Sequence, residues 1–431
     1  MLSRKRLVIL LMAILSMRAS AQTTAPALTP QQQWWELQRQ PAGPQAVVRV
    51  HDPCAIFANN AYYLFCTGRG TPMFRSDDRY HWTRVGVVFP QQPDWALREV
   101  PGSRGQWAPD ISLFNGVYHL YYAVSTFGSR RSCIGLTINK TLDVNSPDFR
   151  WIDQGKVIET HNSDNYNAID PNLVMDEHDQ PWMVFGSCWD GVRISRLDVA
   201  TGKPPSDEPP PRPLEHRPKG KLFEGPFVVR HGEWFYLFIS FDACCRGAQS
   251  TYNIRVGRSR HVDGPYVDMD GVPMLEGGGT LVLGSYGSVR GPGHCGVMTD
   301  AAGRQWMVHH FYDADDRGIS KLQVRRIVWS KDEWPLVGEP VDRPVSGQVN
   351  RKDVAGFWKY SVNFGDDRPV RLKADGSSDA PDVISSWRIE DGRLALNVPT
   401  GRAMCEIADD GEWFVGRDQS GVILRGHRSR N

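Results

Sequence analysis

Short runs of apolar and aromatic residues, five to eight residues long, recur along the middle of the chain. Most of them follow a turn signal, such as Asn59-Asn60, Asn115-Gly116 or His231-Gly232. No segment between them keeps a helical period. The pattern therefore predicts an all-β region built from hairpins. The runs are Ala61–Cys66, Val117–Val124, Trp182–Gly186, Trp234–Phe241 and Trp306–Tyr312.

A repeat underlies these hairpins, because a polar residue beside Pro or Gly stands about ten residues before each aromatic run. Successive gaps between the polar residues are 58, 60, 54 and 70 residues. Five similar units predict a five-bladed β-propeller, in which the innermost strand of each blade faces the central axis. The five polar residues should then converge at one end of that axis. They are Asp52, Asp110, Asp170, Glu224 and His294.

The segments outside the repeat divide the chain into further units. We expect a linker or arm at 22–44, the propeller at 45–340, and a separate small β-barrel or sandwich at 345–431. The Pro-rich stretch Lys203–Pro218 should be a surface loop between strands.

The first 21 residues are typical of an export signal. Arg4, Lys5 and Arg6 precede an apolar stretch, and Ala19-Ser20-Ala21 form a small-residue cleavage site. The apolar stretch is too short for an ordinary membrane span. We therefore expect a protein exported to the periplasm or the medium, without a membrane anchor. A retained amphipathic anchor is the alternative.

Charge and cysteine content narrow the possible partners. The chain of 431 residues has 50 Lys and Arg against 49 Asp and Glu, so no net field favours nucleic acid or an anionic membrane. The eight cysteines show no CxxC spacing, which argues against a zinc cluster. Adjacent Cys244 and Cys245 could form a redox pair, but two buried small residues are the expected outcome. We expect a monomer.

The acids of the repeat suit glycoside hydrolysis, which needs one carboxylic acid and one carboxylate. Glu224 has the longer reach and stands between apolar neighbours, so burial should keep it protonated, and it is the candidate acid. Asp52, in the first blade, should lie across the axis from it as the base, leaving room for the water of an inverting reaction. Asp170 should tune Glu224. Alternatively, Asp-Pro pairs merely cap strands and turns.

At these residues the sequence resembles glycoside hydrolase family 43, and within it the endo-α-1,5-L-arabinanases. The similarity runs from about Val50 to Pro335 and includes several motifs in a fixed order. The segment after 345 also resembles the small lipocalin-like barrel that follows the propeller in some of these enzymes. The main motifs are HDP at 51–53, WAPDI at 107–111, VSTFGS at 124–129, YNAIDPN at 166–172, GSCWDG at 186–191, FEGP at 223–226 and GPGH at 291–294.

The resemblance implies a five-bladed propeller with Asp52 as catalytic base, Glu224 as catalytic acid, and Asp170 raising the pKa of the acid and orienting it. It also implies that His294 helps to hold a metal ion, usually calcium, with waters completing the shell. For Trp107, a core role and a sugar-binding role remain equally open. The positions implied to line the sugar subsites, in addition to Asp52, are Gly128, Asn167, Ala168, Ile169, Asp170, Ser187, Cys188 and Trp189.

Three functions follow from this sequence. The first is an endo-acting hydrolase of arabinan or arabino-oligosaccharides. The second is an exo-acting α-L-arabinofuranosidase or β-xylosidase on the same scaffold. The third is a propeller that binds carbohydrate without cleaving it, which the presence of all three acids disfavours. The Arg130-Arg131 pair could favour an acidic side chain on the substrate, although a solvated loop is the alternative.

Overall fold

The computed structural model describes residues 43–218, 220, 222–343 and 354–429. The predicted export signal, and all but two residues of the predicted arm, lie outside the described residues. Within the described ranges the chain forms six sheets: five four-stranded antiparallel sheets and one seven-stranded sheet. The predicted five-bladed propeller is confirmed.

Each blade is a meander of four consecutive strands, so neighbours in sequence are also neighbours in the sheet. Blade 1 contains β1 (Cys54–Ala58), β2 (Ala61–Phe65), β3 (Pro72–Ser76) and β4 (Thr83–Val87). Blade 2 contains β5 (Trp107–Phe114), β6 (Val117–Val124), β7 (Ser132–Asn139) and β8 (Ile152–Thr160). Blade 3 contains β9 (Asn172–Met175), β10 (Pro181–Phe185), β11 (Val192–Arg196) and β12 (Arg212–Glu215). Blade 4 contains β13 (Phe223–His231), β14 (Trp234–Phe241), β15 (Asn253–Ser259) and β16 (Thr280–Leu283). Blade 5 contains β17 (Val289–Thr299), β18 (Gln305–Asp313), β19 (Ile319–Trp329) and β20 (Pro335–Pro340).

The predicted turns form the tight ends of the hairpins. Asn59 and Asn60 join β1 to β2 with φ angles of 50° and 58°. Positive φ at both central residues is the geometry of a type I′ turn, which matches the twist of the flanking strands. Asn115 and Gly116 repeat it in blade 2, with φ angles of 49° and 76°. Asparagine and glycine are the residues that tolerate this conformation best, which explains why they mark the turns.

Helical structure is sparse in the described ranges. The helix α1 (Asp94–Glu99) precedes blade 2, and single 3₁₀ turns are formed by Gly247–Gln249, Met274–Glu276 and Ala314–Asp316. No helix in the described part of the chain has the length and apolar character needed to cross a bilayer.

The innermost strands β1, β5, β9, β13 and β17 contact one another in a ring, and β17 returns to β1. Just before or within each of them, one residue adopts a left-handed backbone conformation, usually before a proline. This residue marks equivalent positions in the five blades. The residues and their φ angles are Asp52 (48°), Ala108 (42°), Asp170 (56°), Gly225 (63°) and His294 (49°).

This register corrects two details of the predicted repeat. Ala108, and not Asp110, is the blade 2 equivalent of Asp52, whereas Glu224 stands one residue before its own marker, Gly225. Asp110 is buried, and its Oδ2 accepts a hydrogen bond of 2.7 Å from the Leu173 amide in blade 3. It therefore joins two blades and does not point into the axial mouth.

A second correction concerns the Pro-rich stretch expected to be a loop. Its residues Arg212–Glu215 form β12, the outermost strand of blade 3. A proline within that strand is compatible with its position, because an edge strand needs no donor on its outer side.

The C-terminal unit is a curled seven-stranded sheet, a half-barrel that confirms the predicted small β domain. Its strand order is β22-β21-β27-β26-β25-β24-β23. It packs on the propeller, where Arg417 donates to the Leu281 carbonyl at 2.7 Å and Arg425 pairs with Glu339 at 3.5 Å. The strands are β21 (Gly356–Val362), β22 (Arg368–Leu372), β23 (Ser386–Glu390), β24 (Arg393–Val398), β25 (Gly401–Ile407), β26 (Trp413–Asp418) and β27 (Ile423–Arg428).

Candidate active site

A groove of about 1690 Å³ opens where the innermost strands begin. All but one of the residues predicted from the sequence to form the site line it. They are Asp52, Trp107, Gly128, Asn167, Ile169, Asp170, Ser187, Cys188, Trp189, Glu224 and His294.

Ala168 is the exception among the predicted site residues. Its side chain is fully buried in the hydrophobic cluster that joins blades 2 and 3. Its amide donates to Thr160 Oγ1 at 3.0 Å. The structure therefore gives Ala168 a packing position behind the groove and does not support a direct contact with substrate.

Asp52 is held from three sides. His51 Nδ1 lies 2.8 Å and His294 Nδ1 3.2 Å from its Oδ1, and Thr67 donates to its Oδ2 at 2.6 Å. Its own amide donates to His310 Nδ1 at 3.1 Å. Burial alone would raise the pKa of Asp52, but the neighbouring histidines outweigh burial and hold that pKa well below its ordinary value. Asp52 is therefore a fixed, ionised carboxylate.

Glu224 lies in the opposite electrostatic situation. Burial, followed by the negative charge of Cys245, raises the pKa of Glu224 to about 7, although the hydroxyl of Tyr252 donates to its carboxylate and opposes the shift. A carboxyl group with this pKa still carries its proton over much of the range in which Asp52 is ionised. The pair thus supplies one acid and one base, whose environments separate their pKa values.

Asp170 connects the two. Its Oδ2 accepts a hydrogen bond of 3.0 Å from the amide of Gly225, directly after Glu224 in the chain. Burial, then the charges of Glu224 and Asp52, raise the pKa of Asp170. The geometry suits a residue that fixes the backbone next to the acid.

The rim of the groove carries exposed aromatic side chains. Trp189 is 40% and Phe127 81% exposed, and both line the groove. The guanidinium of Arg130 lies 5.8 Å from the centre of the Trp189 ring. Flat apolar faces of this kind can pack against sugar rings. Arg131 is committed elsewhere, since it pairs with Glu99 and with Glu159, so it is not the free cation that an acidic substrate would need.

Several functional neighbours were not predicted from the sequence. The ring of His310 accepts a hydrogen bond from the Asp52 amide, and no motif marks this residue. Tyr252 carried no signal of its own. Cys244 and Cys245 were expected to be buried small residues, but both are only partly buried and line the groove. His51 stands in the HDP motif beside Asp52.

The predicted calcium ion can be tested against the donors around His294. Calcium takes six to eight oxygen ligands. Here one carboxylate oxygen of Asp52 is bonded to histidines and the other to Thr67, while His51, His294 and His310 offer nitrogen. The residues therefore fit only a water-rich shell to which His294 contributes a single ligand, and such an ion would add positive charge beside Asp52.

A groove on a propeller axis that holds one ionised and one protonated carboxyl group defines a glycoside hydrolase. Residues 43–335 match the family model of the glycosyl hydrolases family 43, and the chain belongs to that family.

Relatives within this family are similar over the propeller. An extracellular exo-α-(1→5)-L-arabinofuranosidase of Cellvibrio japonicus is 40% identical over 309 residues, covering 68% of this chain and 87% of the relative. An extracellular endo-α-(1→5)-L-arabinanase of Bacillus subtilis is 39% identical over 292 residues, covering 66% and 87%. The solved structure of a Cellvibrio cellulosa α-L-arabinanase complexed with arabinohexaose is 38% identical with a TM-score of 0.65, covering 68% of this chain and 96% of that one.

Proposed function

We propose that the protein is an endo-acting arabinanase, which hydrolyses α-1,5-L-arabinofuranosidic linkages within arabinan with inversion at the anomeric carbon. The observation that carries the proposal is the pairing of Asp52 and Glu224, whose pKa values are shifted in opposite directions, within one groove. The two arabinan-cleaving relatives support arabinan as the substrate.

In this proposal Glu224 protonates the oxygen of the leaving sugar while Asp52 takes a proton from the attacking water. Asp170 acts through Glu224, because it accepts a hydrogen bond from the adjacent amide of Gly225 and so positions the acid. Inversion needs the two carboxyl groups to stand far enough apart to admit water, roughly 6.5–9.5 Å. It is supported by their separate partners: Asp52 binds histidines and a threonine, whereas Glu224 binds Tyr252.

Endo action is supported by the size of the groove and by its rim. Sites for small ligands usually enclose about 300–1,000 Å³. The volume of about 1690 Å³ is larger, and exposed Phe127 and Trp189 extend its walls. A polymer with several sugars bound on each side of the cleaved linkage would use such a surface.

The test is a time course on linear debranched arabinan. An endo enzyme should release a ladder of oligosaccharides early, with a fall in viscosity before much reducing sugar appears. The variants Asp52→Asn and Glu224→Gln should each lose at least about a thousandfold in kcat. Proton NMR of the first product should show the inverted anomer. Full activity in either variant would remove the assigned roles.

The proposal also predicts how the activity depends on pH. Since Glu224 must be protonated and burial raises its pKa to about 7, kcat/KM should fall as the pH rises through about 7. The pKa of Asp52 is lowered, so activity should persist on the acid side down to pH values at which an ordinary carboxylate is already half protonated.

The second candidate is an exo-acting α-L-arabinofuranosidase, which the Cellvibrio japonicus relative supports by its identity of 40%. The same time course separates the two, because an exo enzyme releases one short product throughout, and viscosity falls only late.

We further propose that the protein is exported by residues 1–21 and that His294 holds a calcium ion through a water-rich shell. N-terminal sequencing of the secreted protein tests the first point. For the second, metal analysis of the purified enzyme should find calcium, and His294→Ala should lower its content.

A further inference from the structure

Two adjacent cysteines lie in the groove and have no part in the proposed hydrolysis. Cys244 and Cys245 follow β14 in blade 4, and both are free thiols that are only partly buried. Cys245 has a φ of 63°, in the left-handed region that residues with a side chain rarely adopt. Strained backbone conformations are often found at functional sites, and the neighbours of the Cys245 thiol indicate a function for this one.

The sulfur of Cys245 lies at the end of a chain of polar groups. His51 Nε2 is 3.7 Å from Cys245 Sγ, and His51 Nδ1 is 2.8 Å from Asp52 Oδ1. The amide of Cys245 donates to the hydroxyl of Tyr312 at 2.8 Å, and that hydroxyl is 2.9 Å from His51 Nε2. Thiol, imidazole and carboxylate in this order form the arrangement that activates cysteine nucleophiles.

The charged groups around Cys245 favour its thiolate form. A hydrogen bond from Cys244 lowers the pKa of the Cys245 thiol, and His51 adds to the effect against the opposing influence of burial. Burial alone would lower the pKa of His51, but Asp52 and Cys245 raise it above its ordinary value. Thiolate and imidazolium therefore stabilise each other.

Cys244 has the complementary role. Cys244 directly precedes Cys245 in the chain and lines the same groove as Glu224. Interaction with the Cys245 thiol, then burial, raises the pKa of Cys244, so it keeps its proton. A protonated thiol directly beside a thiolate is placed to resolve an oxidised neighbour into a disulfide.

We propose that Cys245 is a peroxide-sensitive modification site that switches the glycosidase off, with Cys244 as the resolving thiol. The Cys245 thiolate attacks a hydroperoxide, the O–O bond breaks, and a sulfenic acid forms with release of hydroxide or alkoxide. The Cys244 sulfur then attacks the sulfenic sulfur, its proton leaves with the hydroxyl group as water, and a disulfide remains. The two thiols lose two electrons, which reduce the peroxide.

Loss of activity follows from the positions of the two sulfurs. The disulfide removes the negative charge of Cys245, which raises the pKa of Glu224 and lies beside His51, the residue that binds Asp52. Both carboxyl groups of the proposed reaction thus lose a neighbour in one step. A dithiol reductant should reverse the change.

The experiment uses the reduced full-length protein at about pH 6, where an ordinary thiol is far less than a tenth ionised. Brief exposure to hydrogen peroxide should lower the mass of the peptide that contains both cysteines by about 2 Da. It should also lower the activity at least tenfold, and dithiothreitol should restore the mass and the activity. Cys188 is the internal comparator. It lines the same groove, but burial, then Glu224, raise its pKa to about 11, so iodoacetamide should label it at least tenfold more slowly than Cys245.

Variants separate this chemistry from general damage. The activity of the Cys245→Ser variant should be unchanged by peroxide. In the Cys244→Ser variant, Cys245 should be oxidised only to the sulfenic acid, which dimedone traps. His51→Gln should slow alkylation of Cys245 at least tenfold, which a merely structural role for His51 would not do. Equal labelling of Cys245 and Cys188, or equal peroxide sensitivity of Cys245→Ser and the parent, would overturn the proposal. The labelling comparison needs no glycoside substrate, so its outcome is independent of the proposed arabinanase activity.

Discussion

Replacing Tyr252 by phenylalanine removes a hydroxyl that donates a hydrogen bond to Glu224 Oε1. That bond favours the ionised form of the acid and so lowers its pKa. Without it, Glu224 should hold its proton to higher pH. The variant should therefore extend activity toward the alkaline side, even if it lowers the maximal rate.

The size of the shift follows from the strength of the bond. A hydrogen bond to a charged group is worth about 1.5–3 kcal/mol, and one to the neutral acid about 0.5–1.5 kcal/mol. The difference is about 1–1.5 kcal/mol, and one pKa unit corresponds to about 1.4 kcal/mol. The alkaline limb of the kcat/KM profile, expected near pH 7 in the parent enzyme, should move up by about one unit.

The assay is reducing-sugar release from linear arabinan between pH 4 and pH 10, with kcat/KM fitted at each value. Tyr266→Phe is the matched control, because Tyr266 is equally buried but its hydroxyl donates to the Val262 carbonyl, within blade 4 and away from the groove. That variant can lose stability but should leave the alkaline limb in place. An unchanged limb, or a shift to lower pH, in Tyr252→Phe would refute the role of Glu224 as the acid.

Three further predictions concern the supports of the site. Thr67→Val removes a donor to Asp52, the proposed base, and an acceptor for the buried amide of Ala108, so it should cost about 1–3 kcal/mol in urea unfolding and at least tenfold in kcat. Asp110→Asn should leave kcat unchanged but alter the pH dependence of stability. Because burial raises the folded pKa of Asp110 from 3.8 to about 7, the parent should lose stability relative to the variant as the pH rises from about 4 to 7, as measured by denaturant titration. Gly293→Ala would place a methyl group 2.0 Å from the Tyr252 ring, so both kcat/KM and Tm should fall, whereas Gly86→Ala, with open space around it, should change neither.

The propeller could be predicted because each blade carries the same short sequence signals at its turns and at its innermost strand. In four blades, the left-handed residue at the innermost strand is followed by proline. Asn-Asn and Asn-Gly form the turns of the first hairpins of blades 1 and 2. The register of blade 2 was assigned wrongly from the sequence. Asp110 follows its proline, whereas Asp52 and Asp170 precede theirs, and the backbone conformation shows that Ala108, before Pro109, is the equivalent residue.

The acids of the site were predictable, but their setting was not. Asp52, Asp170 and Glu224 stand in the repeat, so their convergence follows from the fold. Tyr252 and His310 come from the second and third strands of their blades and the loops between them, where no repeat marks them. A motif also gives the identity of a stretch but not the direction of each side chain along it, and the side chain of Ala168 is buried behind the groove.

In the described part of the chain, the ring of blades is closed without a strand shared between its first and last blades, because every blade consists of consecutive strands. The first and last blades are instead fastened through side chains, and Asp52 in the first meets His294 and His310 in the last. The proposed base of the reaction thus lies in the seam of the ring, which a hydrophobic cluster and the ion pair between Arg79 and Asp300 also hold. On gentle heating, the contacts between blades 1 and 5 should break before the sheets unfold. The enzyme should therefore lose activity while its circular dichroism still shows intact strands.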